Sequence, residues 1–85
     1  MIVAILNIDI YCDTPGSSYR LYANDDLLTE RSFSFNSDLY IQEQIVLCVE
    51  PGHHRLRVEP LQNSAIFAKN LTMIEGDDTV SFSLS

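Results

Sequence analysis

Tryptophan is absent, and glycine, cysteine and histidine are scarce, at three, two and two residues in 85. A loop that cradles phosphates is built on clustered glycines, and Gly16, Gly52 and Gly76 are too far apart to form one. No Cys-x-x-Cys pair, Gly-x-Ser-x-Gly elbow or EF-hand spacing occurs. The only histidines, His53 and His54, are adjacent. On a strand such neighbours point to opposite faces, so they cannot act together on one substrate or chelate one metal side by side. The expected places are His54 packed at a strand end and His53 on the surface near Glu50. An enzyme acting alone is therefore not expected, and the residues themselves imply no cofactor.

Positive charge is also scarce. Twelve acidic residues face five Lys plus Arg, a net charge of −7. Arg20, Arg31, Arg55, Arg57 and Lys69 are scattered along the chain. A phosphate backbone needs a concentrated basic footprint, so nucleic acid is not an expected partner, and an anionic membrane surface is disfavoured for the same reason. No apolar run is long enough to span a bilayer. Met1 to Leu6 is apolar but lacks a basic n-region and soon meets Asn7 and Asp9, which does not resemble a secretory leader. The sequence as given thus points to a soluble chain synthesised in the cytoplasm. With only Cys12 and Cys48 present, and only Cys12 in step with the inward residues of its strand, reduced thiols are expected.

What the chain does have is apolar patterning. Hydrophobic residues make up 46% of the sequence and charged ones 20%, which fits a compact fold and excludes disorder. Residues 1–85 hold one domain and one core. A chain this short buries only about 60% of the surface that its unfolded form exposes, so assembly with another surface is an expectation from size alone. No stretch carries a helical period, whereas seven short runs rich in β-branched and aromatic residues end at Gly, Pro, Asn or Asp.

The first run, Ile2 to Cys12, has Ile2, Ala4, Leu6, Ile8, Ile10 and Cys12 on one face and Val3, Ile5, Asn7, Asp9 and Tyr11 on the other. Apolar on both sides in its first half, it reads as a central strand or as one whose outer face a partner covers. Tyr19, Leu21 and Ala23, and later Phe33 and Phe35, point inward on two strands joined at Asn24-Asp25-Asp26. Pro51-Gly52 suits a tight turn that would pair Leu47 with Leu56 and Ile45 with Val58 in a hairpin. Gly76-Asp77 suits a second one, setting Met73 against Val80 and Leu71 against Phe82. One-sided apolar ribbons must cover that side, so the expected fold is all-β: a single antiparallel β-sandwich, jelly-roll or carbohydrate-binding-module-like, of about seven strands.

Candidate binding residues follow from strand phase. Tyr11, Tyr22 and Tyr40 fall out of step with buried neighbours or near strand ends, where tyrosine serves interfaces and sugar-stacking platforms alike. Val46, Arg55 and Arg57 share their outward phase. Val3, Ile5, Val46 and Ile74 would add an exposed apolar surface of the kind that marks an interface. Asp25-Asp26 and Asp77-Asp78 are weak candidates for a Ca²⁺ site, although aspartate is favoured in turns for its own backbone hydrogen bonding.

Leu56-Arg-Val-Glu-Pro-Leu-Gln-Asn63, followed by Lys69-Asn-Leu-Thr72 and a closing strand, resembles the C-terminal half of the calcium-dependent xylan-binding modules, with an echo in Tyr19 to Leu28. The resemblance covers about the last third of the chain. It implies a β-sandwich that binds carbohydrate with calcium, although Ser64 and Ala68-Lys69 stand where that family carries acidic and arginine residues. In general character the chain also resembles small proteins of tailed marine cyanophages, which implies a virion component or an accessory protein. The expected function is a non-catalytic structural or interaction module that associates with itself or with a protein partner, with carbohydrate binding as the alternative.

Overall fold

The structure, a computed structural model, describes residues 1–13, 16–33, 40–61 and 65–85. Among these residues seven strands follow one another without a helix: β1 (Ile2–Cys12), β2 (Ser17–Ala23), β3 (Asp26–Phe33), β4 (Tyr40–Val49), β5 (Gly52–Pro60), β6 (Ile66–Glu75) and β7 (Val80–Leu84). They form a three-stranded sheet in the order β4-β1-β6 and a four-stranded sheet in the order β3-β2-β5-β7. The expected all-β architecture of two sheets around one core is thus present. The orientation of Phe33 and the positions of Phe35, Asn63 and Ser64 lie outside what is described. No helix among the described residues is long and apolar enough to cross a membrane.

Strand β1 sits at the centre of its sheet because it is apolar on both faces for half its length. It takes β4 along one edge, from Ile2↔Val49 to Tyr11↔Tyr40, and β6 along the other. Its inward residues Ala4, Leu6, Ile8, Ile10 and Cys12 are buried, and the last four form one core with Tyr19, Leu21, Ala23 and Leu56 of the opposing sheet. Full burial of each such aliphatic side chain stabilises by about 1.5–3 kcal/mol, so this row supplies much of the driving force for closing the sandwich. Cys12 faces this core while Cys48 is exposed, so strand phase keeps the two thiols apart.

Among the described residues the one hairpin is β2–β3. Its register closes Ala23↔Asp26 around Asn24-Asp25, and Asn24 adopts a left-handed φ of 55° that asparagine tolerates. The side chain of Asn24 fixes the turn to β5, accepting from the Arg55 amide at 3.1 Å and meeting His54 Nδ1 at 3.1 Å.

Two hairpins expected from turn residues do not form. Pro51-Gly52 leads β4 into β5 in the opposite sheet, and residues 76–79 lead β6 into β7 in the same way. Each is an arch over the core. The inward phase survives, since Ile45, Leu47, Leu56 and Val80 are buried and Leu71 and Phe82 pack against the core, but these side chains meet across the sandwich rather than along one ribbon. Gly52 takes a φ of 133°, open to glycine, and its amide donates to the Thr79 carbonyl at 2.8 Å, tying the arches together. Asp77, rather than Gly76, organises the second arch: its Oδ1 accepts from the Thr79 amide and hydroxyl, both at 2.6 Å.

The arches also break the expected purely antiparallel pattern. Because β4 and β6 both run antiparallel to β1, they run in the same direction as each other. Each then crosses to the other sheet at the same end. Strands β5 and β7 must therefore also run in one direction, and as neighbours they pair in parallel, from Gly52↔Val80 to Leu56↔Leu84.

Met73 is a further correction: expected inside, it is exposed. Its strand carries irregularities opposite Ile5/Leu6 and Asn7/Asp9, and Asn70 has a φ of 59°. The register nevertheless pairs Met73 with the inward Leu6, so the bulges do not turn it outward; it is exposed near the end of β6, where its side chain lies against Gly76 at the second arch.

Candidate functional site

The six residues singled out for a binding surface do not form one. Tyr11, Tyr40 and Val46 lie on the outer face of the three-stranded sheet, while Tyr22, Arg55 and Arg57 lie on the outer face of the four-stranded sheet. Opening the expected Pro51-Gly52 hairpin into an arch turns its two outer halves to opposite sides of the molecule.

On the three-stranded sheet, the registers Tyr11↔Tyr40 and Tyr11↔Phe67 build an aromatic row across all three strands. Ring centroids are 5.1 Å apart between Tyr11 and Tyr40, at an interplanar angle of 29°, and 5.5 Å apart between Tyr11 and Phe67, at 9°. Near-parallel rings this close are stacked, since side-by-side coplanar rings would overlap, so they turn faces to one another and edges outward. Lys69 Nζ lies 4.5 Å from the Tyr11 centroid, a cation–π placement. Partial desolvation, helped by the Asp9 carboxylate and the Tyr40 phenol, holds the Tyr11 hydroxyl above its ordinary pKa. Phe67 was not foreseen: nothing near it in sequence identifies it, and it joins the row only through the pairing of β6 with β1.

Below the row, Asp9 is buried on this outward side. It accepts from Asn70 Nδ2 at 2.9 Å and, more weakly, from Gln42 Nε2 at 3.4 Å. The left-handed Asn70 at the bulge delivers that amide. Farther along, Val3 pairs with Cys48 and Ile5 with Val46, and Val3, Val46 and Ile74 are 52%, 62% and 52% exposed. Asp9, Lys69 and Glu75 are the outward charged side chains on this sheet among the described residues.

The other outer face is different in kind. Arg20 and Glu30 pair at 2.7 Å, Arg57 and Glu59 at 3.3 Å, and the Arg57 guanidinium lies 4.2 Å from the Tyr22 ring centroid. Tyr22 also donates to Glu59 at 3.3 Å. His53 sits between Ser81 Oγ and Ser83 Oγ, at 2.8 Å from each ring nitrogen. It is His54 that contacts the Glu50 carbonyl, at 2.8 Å, and its ring leans on Phe82.

Between the sheets lies one polar cluster that the reading of motifs missed. Glu43 falls in the inward phase of β4 and is buried; Tyr19 of the opposing sheet donates to its Oε1 at 2.8 Å, and Arg31 forms an ion pair with it. Burial, and donation to Glu43, push the Tyr19 phenol pKa well above its usual range. Arg31 and Glu43 also line a cleft of about 290 Å³ between β3 and β4, whose walls include Leu21, Leu28 and Ile45. The signal was present as an acid in step with Ile41, Ile45 and Leu47.

Among the described residues, no three His, Cys, Asp or Glu side chains come together as a metal-binding group. Asp25 and Asp26 are exposed at the β2–β3 turn, and Asp77 and Asp78 at the second arch. The Asp77 carboxylate is engaged by Thr79, whose hydroxyl and amide hold its pKa below the ordinary value.

No protein-family model, curated protein or solved structure matches the chain.

Proposed function

We propose that the protein is a non-catalytic interaction module that assembles, with a second copy or with a larger protein, through the outer face of its three-stranded sheet. One observation carries this reading: the contrast between the two outer faces. The four-stranded sheet shows arginine–glutamate pairs and hydroxyls, the pattern of a solvated surface. The three-stranded sheet exposes Val3, Tyr40, Val46, Phe67 and Ile74 on its outer face with three charges. Depletion of charge together with aromatic enrichment is the composition of an interface core. It also lets a chain of net charge −7 approach its own kind with little repulsion on that side.

Size sets the expected strength. Three strands of about ten residues present roughly 33 by 14 Å, or about 460 Å². A standard stable interface buries about 800 Å² per partner, so association should depend on concentration unless the contact extends past the sheet edges. Light scattering over a wide concentration range, with capture of partners from the native source, tests this. Val46→Glu should abolish assembly, and Leu27→Glu, an equally exposed position on the opposite face, should leave it intact. A strict monomer without partners, or equal effects of both substitutions, would refute the reading.

Carbohydrate binding is the second reading, favoured by the row Tyr40–Tyr11–Phe67. Sugar rings stack on aromatic faces, and here those faces are turned toward one another, so only the flanks of the end rings remain for a glycan. Retardation by a polysaccharide in affinity electrophoresis, lost in Phe67→Ala, would support it.

A further inference from the structure

We infer that the outer face of β5 and β7 binds a small tetrahedral oxyanion, phosphate or sulfate, between the Arg55 guanidinium and the hydroxyls of Ser81 and Ser83. This site lies on the face opposite the proposed interface and does not depend on it. The parallel register places His53 beside Ser81 and Arg55 beside Ser83, so four outward polar side chains form a compact square. In a chain of net charge −7, this sheet carries Arg20, Arg55 and Arg57 outward. Arg20 is matched by Glu30 and Arg57 by Glu59 and the Tyr22 ring. Arg55 has no carboxylate partner among the described residues, and its side chain is exposed.

The hydroxyls are fixed and have capacity to spare. His53 meets Ser81 and Ser83 at 2.8 Å through its two ring nitrogens. In a neutral imidazole one nitrogen donates, so the serine that accepts from it keeps its own O–H proton for another acceptor. In an imidazolium both nitrogens donate and both hydroxyl protons are available. Either state thus aims at least one O–H donor from a position that the ring holds in place. Beside it stands a guanidinium whose planar fork matches phosphate and sulfate oxygens. An extended polyanion fits less well. The Gly52–Thr79 hydrogen bond brings both arches to the start of these strands, with Glu50, Asp77 and Asp78 nearby.

The test is a titration of ¹⁵N-labelled protein with sodium phosphate, sodium sulfate and sodium chloride at matched ionic strength. Saturating amide shifts confined to residues 53–55 and 81–83 are expected with phosphate and sulfate and not with chloride. Arg55→Gln should weaken binding about tenfold, the loss of one charge-assisted hydrogen bond. Arg57→Gln should change it by less than about twofold, since that guanidinium is already engaged. The Arg55 amide bond to Asn24 survives the substitution, and the variant's own spectrum reports its fold. Ser83→Ala provides a second, conservative loss. Equal shifts with chloride, undiminished binding by Arg55→Gln, or shifts spread over both sheets would overturn the proposal. Tighter binding of a polysulfated oligosaccharide than of sulfate would overturn the assignment to a small ion.

Discussion

Replacing Tyr19 with phenylalanine is the most discriminating perturbation of the fold, because it removes one oxygen and no packing volume. The phenol is fully buried and donates at 2.8 Å to Glu43, itself buried between the sheets. A hydrogen bond to a charged group is worth about 1.5–3 kcal/mol net, and losing it leaves a desolvated carboxylate short of a donor. For 85 residues the whole stability is of the order of 4–13 kcal/mol, so the loss is a substantial share. With a urea m-value of about 1 kcal/mol per molar for so small a domain, the unfolding midpoint should fall by about 1.5–3 M. Arg31→Gln should cost less, at most about 1 kcal/mol, because that side chain is half exposed and water screens the pair.

Alkaline pH separates this cause from simple mispacking. Burial and donation to Glu43 raise the Tyr19 pKa above the ordinary phenol value of 10.0, so above that pH the unfolded chain loses a proton that the native state keeps. The contribution is fully present below pH 10 and declines above it by about 1.4 kcal/mol per pH unit. Wild type and Tyr19→Phe should therefore converge as pH rises through that region. A deficit that is the same at neutral and alkaline pH, or a midpoint shift below about 0.5 M near neutrality, would refute the reasoning.

Leu56→Ala, at a fully buried site between β2 and β7, should cost about 2–5 kcal/mol by denaturant titration and bring the domain near unfolding at ambient temperature. Asn24→Ala should destabilise by about 1–2 kcal/mol, through loss of the bonds to His54 and Arg55 and a left-handed backbone, and Asn24→Gly by less, since glycine accepts that φ. Asp77 should titrate below 3.8 by carboxyl NMR, and Thr79→Ala should move it part of the way back. Because the folded pKa is depressed, the contribution of Asp77 is present above 3.8 and lost as pH falls below it, so Asp77→Asn should flatten the acid limb of stability.

Strand identity and inward phase were legible in the sequence because both are local. Ile45, Leu47, Leu56 and Val80 recur every second residue, and burial follows that period wherever the strand is regular. Phase alone does not bury Met73, which pairs with the inward Leu6 yet is exposed near the end of β6. Partnership was not legible, because Pro51-Gly52 and Asp77 serve a hairpin and an arch equally well. The choice between them is made by β1, whose two apolar faces and two long edges compete successfully for β4 and β6. The aromatic row was hidden for the same reason: Tyr11, Tyr40 and Phe67 are remote in sequence and meet only through β1.

That competition also accounts for the two different outer faces. Once β1 captures β4 and β6, the outward residues of three largely apolar strands are gathered on one side of the molecule, and the outward Arg20, Arg55, Arg57, Glu30 and Glu59 on the other. In a hairpin arrangement, Val46 and Cys48 would have lain opposite Arg57 and Arg55 on a single mixed surface. The arch separates them. Segregation of charge from apolar surface is thus a product of strand order, and both the proposed interface and the proposed anion site rest on it.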